Sequence, residues 1–390
     1  MAMRLLYVPT FTSSPTLEQD PPSSDSIGYG VTSAAAIVAE LRSRNIEVIT
    51  LNPRLPAHLD LRARRAHWTS RIYADIVSAF STGPPDAIFI FHIFSTFPAV
   101  VRKAIQDLGA DIPIVGYTHG SHWDPTDLYR FQRHPGLKFA DLGNLEALDA
   151  LFVASIYMRD VLVDNIKQVS PEVAAAIAAK IAVVGLPLDT SRIDRQKVSD
   201  RTRQLTIVYN HAPIESKRPD IFIEAAGRVL AAHDATVLFT RRFGPSDYAY
   251  AQLRRLVKRF PNQVVLGNDM DIDDYYGKLW EADIQVSTAS HESFGVSTLE
   301  AMYTNNACLL PMCGSYPEIC RNDSDVLYDI HEEDLAKRIA HLIVHRGLRE
   351  QVATRLTRVA QLYGARQVVD RIMETLQMVT CRQGGWRERA

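Results

Sequence analysis

Short apolar runs rich in β-branched residues alternate along the chain with longer stretches whose apolar residues recur at helical spacing, the pattern of parallel strands joined by covering helices. The first half offers RLLYV (4–8), EVITL (47–51), AIFIF (87–91), IPIVGY (112–117), ALFVA (150–154) and IAVVG (181–185) as strands. The second half repeats the rhythm with LTIVY (205–209), ATVLF (235–239), QVVLG (263–267), DIQVS (283–287), ACLLP (307–311) and VLY (326–328). Each set suffices for one doubly wound sheet. Between them, LPLDTSRIDRQKVSDRTRQ (186–204) is polar and lacks a sustained apolar stripe, which marks it as a connection. The pattern predicts an α/β chain of two Rossmann-like domains, 1–186 and 205–372, with a linker over 187–204 and a C-terminal helix and tail over 373–390 that is free to pack back on the first domain. Open parallel sheets bind ligands beyond the carboxyl ends of their strands, so two such domains facing one another would share a central cleft.

A length of 390 residues fits two cores better than one. With 46% of residues hydrophobic and 23% charged, the composition is that of an ordinary globular protein. A net charge of −2 argues against coating nucleic acid by bulk charge and leaves recognition to local groups. Cys308, Cys313, Cys320 and Cys381 fit no zinc spacing and suit a reducing compartment. No uncharged apolar stretch reaches the ~18 residues of a membrane span, and MAMRLLYVPTF lacks the h-region of a signal peptide. The expectation is a cytoplasmic protein without a membrane span or resident metal.

Several segments carry candidate chemistry. After the first strand and a polar insert, GYGVTSAAAIVAELRSRN places Gly28 and Gly30 at the entrance of a small-residue helix, where backbone amides can approach a phosphate. The fourth strand runs into GYTHGSHWDPTD, so His119 and His122 emerge at its carboxyl end, as His92 does on the strand before; position favours His119 for function. In NHAPIESKRPD (210–220), Lys217 and Arg218 stand at a helix entrance, where the dipole disfavours cations unless an anion lies beside them. NDMDIDDYYGKLWEAD (268–283) contains Asp-x-Asp strings of the kind that hold divalent metals, but acids in a first turn also cap a helix, with Tyr276, Leu279 and Trp280 on its buried face; capping is the favoured reading. The basic runs LRARRAHWTSR (61–71) and LRRLVKRF (253–260) read as solvated helix faces, with nucleic-acid contact as the alternative.

HESFGVSTLE (291–300) is the most informative stretch. A strand ends near Ser287, a loop follows, and VSTLEAMYTNN forms a helix closed by Asn305 or Asn306, which tolerate a left-handed cap. Glu292 then lies in the loop, Gly295 at the helix entrance and Glu300 further along, eight helical residues spanning ~12 Å at most. An anion at the Gly295 amides would lie between two carboxylates able to accept hydrogen bonds from vicinal hydroxyls.

The chain resembles the GT-B fold glycosyltransferases, specifically the retaining enzymes of glycosyltransferase family 4, in ESFGVSTLEAM (292–302), the following GSYPEI (314–319), the Gly28/Gly30 loop, THGSH (118–122), SIYMRDVL (155–162) and GLPLD (185–189). The resemblance spans essentially the whole chain. It implies that Glu292 and the backbone of Phe294 and Gly295 contact the transferred sugar, with Val296 also among the donor-binding residues and Glu300 on the ribose hydroxyls. It further implies Lys217 on the diphosphate, Gly30 on the pyrophosphate from the other domain, and His119 on the sugar. No metal is implied, and the nucleoside diphosphate sugar is a co-substrate. Where the family places an arginine five positions before its lysine, this chain has Ala212, with His211 or Arg242 as stand-ins; Asn305 and Ala307 replace a Gly and a Pro after the signature helix. NHAPIESKRPD, STASHESFGVSTLEA and SYPEI look most similar to the tRNA-queuosine mannosyltransferases, a likeness that the first half shares much less.

The expected function is transfer of a hexose from a UDP- or GDP-sugar to an acceptor hydroxyl with retention, the acceptor being a small molecule, a glycan, a lipid head group or a modified base of nucleic acid. The alternatives are a phosphorylase or epimerase on the same fold and a nucleotide-sugar-binding protein without activity.

Overall fold

The structure, a computed structural model, describes residues 3–11, 29–53, 56, 58, 60–127, 136–198, 204–268, 270–330 and 334–387. Gly28, most of the polar insert before it, Asp269 and part of the expected linker lie outside the described residues. All twelve predicted strands form: β1 (Arg4–Val8), β2 (Glu47–Thr50), β3 (Ala87–Ile90), β4 (Ile114–Thr118), β5 (Ala150–Val153), β6 (Ile181–Val183), β7 (Thr206–Tyr209), β8 (Thr236–Phe239), β9 (Val264–Leu266), β10 (Ile284–Val286), β11 (Ala307–Pro311) and β12 (Leu327–Tyr328). They are short because each run of apolar residues ends where the chain turns toward its covering helix.

Two compact units result, one containing the described residues up to Pro187 together with those from Ala365 onward, the other containing Leu188–Gly364. The first unit's sheet has the order β2-β1-β3-β4-β5-β6 and the second's β12-β11-β10-β7-β8-β9. Every pairing is parallel. Each sheet is doubly wound, reversing direction between β1 and β3 in the first unit and between β7 and β10 in the second. Read outward from β7, the second sheet follows the 3-2-1-4-5-6 order of dinucleotide-binding folds.

In the first unit the basic run forms the helix Leu61–Ser81, started by Asp60, whose carboxylate accepts the Ala63 amide at 2.8 Å. Trp68, Ile72 and Ile76 face the core while Arg62, Arg65 and Arg71 face solvent, so the run is amphipathic rather than uniformly basic. The last helix, Ala365–Arg387, belongs to this unit: Val368, Val369, Ile372 and Leu376 are fully buried, and the helix packs on Tyr29–Ser43 and β5. Arg44, in the turn just after the helix Tyr29–Ser43, pairs with Asp370 at 2.7 Å.

In the second unit the segment after Leu188 contains the helix Thr190–Arg195, capped by Asp189. Arg192 pairs with Asp273 at 2.6 Å, and the Trp280 indole donates to the Ile193 carbonyl at 2.8 Å. Asp271 caps the helix Ile272–Glu281 through the amides of Asp273 and Asp274, at 2.9 and 2.8 Å. Asp271 and Asp273 of the Asp-x-Asp string thus serve as a cap and an ion-pair partner. The second basic run is the helix Tyr250–Arg259, seated by Leu253 and Leu256.

Candidate functional site

The direction reversal between β7 and β10 opens a crevice at their carboxyl ends, where an open parallel sheet presents its ligand site. Residues from three adjacent strands converge there: Asn210, His211 and Lys217 after β7, Arg241 after β8, and the loop from Ser287 to Gly295 after β10. The β7 and β10 loops are fastened together. Thr288 Oγ1 donates to the Lys217 and Arg218 carbonyls at 2.9 and 2.8 Å, the Ser290 amide donates to the Ser216 carbonyl at 2.9 Å, and Tyr209 Oη donates to the Lys217 carbonyl at 2.7 Å.

Lys217 ends a single 3-10 turn, Glu215–Lys217, and its Nζ lies 2.7 Å from Glu292 Oε2 and 3.3 Å from the His291 carbonyl. The neighbouring Arg218, at φ 45°, pairs with Asp220 at 2.9 Å. The anion beside the helix entrance is therefore a carboxylate of the chain itself for both cations. Burial pushes the Glu292 carboxyl up, but the charge and hydrogen bond of Lys217 outweigh it and hold Glu292 below the usual carboxylate range. Tyr316 Oη lies 3.5 Å from the same oxygen and shares a 2.7 Å hydrogen bond with Ser287 Oγ.

The Glu292 main chain is gripped as tightly. The Ser315 amide donates to its carbonyl at 3.0 Å, and Gly314, at φ 55°, comes so close that a Cβ there would stand 2.2 Å from that oxygen. Gly295, at φ 86°, starts the helix Val296–Tyr303, and no side chain caps this N-terminus. Phe294 is 2% exposed with its ring edge-on to Tyr363, so the backbone is what Phe294 can offer to a ligand. Asn305, at φ 63°, closes the helix as its composition predicts.

Glu300 is buried on this helix, and each of its oxygens accepts a tyrosine hydroxyl: Tyr275 at 2.7 Å and Tyr276 at 3.2 Å. Burial raises its pKa against the opposing pull of the Tyr275 bond, the Arg241 charge and the Tyr276 bond. From Tyr275 a polar chain leads back toward Glu292. Asn210 Nδ2 donates to Tyr275 Oη at 3.1 Å and to the Ser297 carbonyl at 2.7 Å. The Asn210 oxygen therefore faces Gln285, whose Nε2 donates to it at 3.2 Å and also meets His211 Nε2 at 3.3 Å. An amide nitrogen only donates, so His211 Nε2 accepts, and the ring proton sits on Nδ1, toward Ser297 Oγ at 3.3 Å. Burial and the charge of Lys217 lower the His211 pKa to about 3, despite Glu292. His211 is thus a neutral hydrogen-bonding group and no substitute for an arginine.

The crevice brings together Lys217, His211, Glu292, Phe294, Gly295, Val296 and Glu300. His119 and Gly30 belong to the first unit. Gly30 stands in the first turn of the helix Tyr29–Ser43, next to the sheet reversal between β1 and β3. His119 is 8% exposed, stacks on Tyr117 and donates from Nε2 to the Phe91 carbonyl at 2.7 Å. Nearby, Asp141 accepts Ser121 Oγ at 2.7 Å and the His122 amide at 3.1 Å, fixing the loop after β4. Sequence reasoning missed Asn210, Arg241, Tyr275 and Gln285. Gln285 left a legible signal, a polar residue amid the apolar positions of a buried strand, whereas Tyr275 is hidden among core aromatics. Among the described residues, no group of three or more His, Cys, Asp or Glu side chains is disposed to hold a metal ion, and no helix is long and apolar enough to cross a membrane.

Residues 190–358 match the family model described as Glycosyl transferases group 1, so the second unit carries a glycosyltransferase domain. Over the whole chain the architecture is similar to that of solved structures at low identity. The sucrose-phosphate synthase of Thermosynechococcus elongatus matches at 11% identity and TM-score 0.69, covering 97% of this chain and 100% of that one. The alpha,alpha-trehalose 6-phosphate synthase of Burkholderia multivorans matches at 12% and 0.72, covering 98% and 100%. The Anabaena protein HepE, solved in complex with UDP-glucose, matches at 15% and 0.67, covering 96% and 100%. The fold is GT-B.

Proposed function

We propose that this chain, a nucleotide-sugar glycosyltransferase of GT-B fold, transfers a hexose from a UDP- or GDP-sugar to an acceptor hydroxyl with retention, and without a metal ion. The observation that carries the reading is the division of labour between the two glutamates of one loop and helix. Glu292, held ionised by Lys217 at the crevice, is suited to accept hydrogen bonds from the hydroxyls of the sugar being moved. Glu300, presented by two tyrosines, is suited to the vicinal hydroxyls of a ribose. Between them lies the uncapped helix start at Gly295, whose amides and dipole favour the phosphates.

Breaking the glycosidic bond leaves negative charge on the departing diphosphate. Lys217 and the helix start supply preorganised positive potential for that charge, the contribution that dominates such transfers. On donor binding the Lys217 ammonium can turn part of its hydrogen bonding from Glu292 to phosphate, freeing the carboxylate for the sugar. Retention is supported by the likeness of the Glu292–Glu300 stretch to retaining enzymes and is checked by the anomeric configuration of the first product in proton NMR. HepE was solved with UDP-glucose, which makes UDP-sugars the first donors to try.

The test pairs a thermal-shift screen of UDP, GDP, ADP and their sugars with kinetics of two variants in the presence of EDTA. Glu292→Gln is expected to lower turnover while nucleotide affinity holds; Glu300→Gln is expected to weaken nucleotide binding, by about tenfold or more for a lost charged hydrogen-bonding group. Equal losses of nucleotide affinity in both variants would contradict the two-ended grip, and nucleotide binding without turnover of any donor would contradict the enzyme reading.

A further inference from the structure

We propose that Arg241, two residues beyond β8, binds the diphosphate of the donor, an assignment that rests on the donor reading above. A diphosphate brings at least two negative charges into the crevice. Of the two cations on the β7 loop, Arg218 is paired with Asp220 at 2.9 Å and Lys217 already shares its charge with Glu292 at 2.7 Å. Position 212 is an alanine, and His211 is a neutral ring with Nε2 accepting from Gln285 and Nδ1 facing Ser297. Glu292 and Glu300 add negative charge of their own. A further cation would offset that charge and add to what Lys217 and the helix start at Gly295 supply to the leaving group.

Arg241 stands where that cation is needed. β8 is the strand next to β7, on the side away from β10, so its carboxyl end opens at the same edge of the sheet as His211 and Lys217. The guanidinium carbon lies 5.3 Å from the centroid of the Tyr275 ring, and that tyrosine's hydroxyl donates to Glu300 at 2.7 Å. The Arg241 charge acts on His211 after β7 as well as on Glu300. A guanidinium held over an aromatic face keeps its full charge and carries five N–H donors in the planar fork that phosphate oxygens match. Arg242, the neighbouring basic residue, is exposed. One residue thus touches the support of the ribose-binding carboxylate and supplies charge to the phosphates.

The experiment is calorimetric titration of the full-length protein and its Arg241→Gln, Arg241→Lys and Arg242→Gln variants with UDP, uridine and inorganic pyrophosphate, with GDP and guanosine replacing UDP and uridine if the wild type prefers guanine. Arg241→Gln is expected to weaken UDP and pyrophosphate about 10- to 100-fold, the range for a lost charge-assisted hydrogen bond, and to leave uridine unchanged. Arg241→Lys should recover part of the loss, and Arg242→Gln should bind UDP as the wild type does. Unchanged UDP affinity in Arg241→Gln would overturn the assignment. So would equal losses for UDP and uridine, which would make Arg241 a prop for Tyr275 and Glu300. Should Arg241→Gln fail to fold, Arg241→Lys carries the test, because the loss of the planar fork must still weaken UDP more than uridine. A wild type that binds pyrophosphate through Arg241 but no nucleoside diphosphate would overturn the donor reading while keeping the arginine on phosphate.

Discussion

Burial and two nearby cations keep His211 uncharged far into acid, and this has a measurable consequence. Its folded pKa of about 3 lies below the ordinary value of 6.5, so between those values the unfolded chain binds a proton that the folded chain refuses. Stability contributed by the neutral ring is complete above about pH 6.5 and falls as the pH drops through the window, by up to about 1.4 kcal/mol per pH unit. Urea unfolding of the wild type should therefore lose more stability between pH 7 and pH 5 than that of His211→Gln; parallel losses would show that the ring is not held neutral. Cys313 gives a second check at this scale. Burial and the neighbouring Glu292 push its thiol up to about 12, and its Sγ lies 3.1 Å from the Ala289 carbonyl. A disulfide reagent at pH 8 should thus modify the exposed Cys381 quickly and Cys313 only on unfolding; rapid labelling of Cys313 would contradict its thiol state. Glu292, Glu300, Gly295 and Lys217 were legible because their spacing and types are unusual on one short segment each. Arg241 and Tyr275 were not, because neither differs in sequence from an ordinary surface arginine or core tyrosine until the sheet sets them against one another.

Among the elements, the strands were the most legible, since runs such as AIFIF and ACLLP are apolar on both faces, as a sheet covered on both sides requires. Helix starts followed from acids in the right place: Asp271 caps through two amides. The segment between the sheets was less legible. Its polar composition hides the helix Thr190–Arg195, which is held by Arg192, Asp194 and the Ile193 carbonyl rather than by an apolar stripe. The loop after β11 shows how one element fixes another. Gly314 lets the chain pass against the Glu292 carbonyl, so Gly314→Ala meets both a left-handed backbone and a 2.2 Å clash. We expect this variant to lose about 2 kcal/mol or more of stability and to lose turnover through displacement of Glu292. A fully active variant with an unchanged melting temperature would show that the loop yields without moving the carboxylate.

For the whole molecule, the chain returns to its first unit after completing its second, because the faces of Tyr29–Ser43 and β5 need the apolar side of Ala365–Arg387. A chain ending at Gly364 removes Val368, Val369, Ile372 and Leu376 from that core. Its first unit is expected to melt at lower temperature in calorimetry while the second keeps its transition and its nucleotide affinity; an unchanged scan would mean that the helix adds nothing to the first unit. Two α/β units, all twelve strands and the glutamate-bearing segment can be read along the chain, because they follow from local periodicity and from residues close together in sequence. The tertiary structure alone decided the strand order, and with it where each sheet reverses and which strand ends meet. The charge state of His211, the tyrosine clamp on Glu300 and the position of Arg241 all depend on groups brought together across β7, β8 and β10, and no local pattern encodes distances between residues so far apart in the chain.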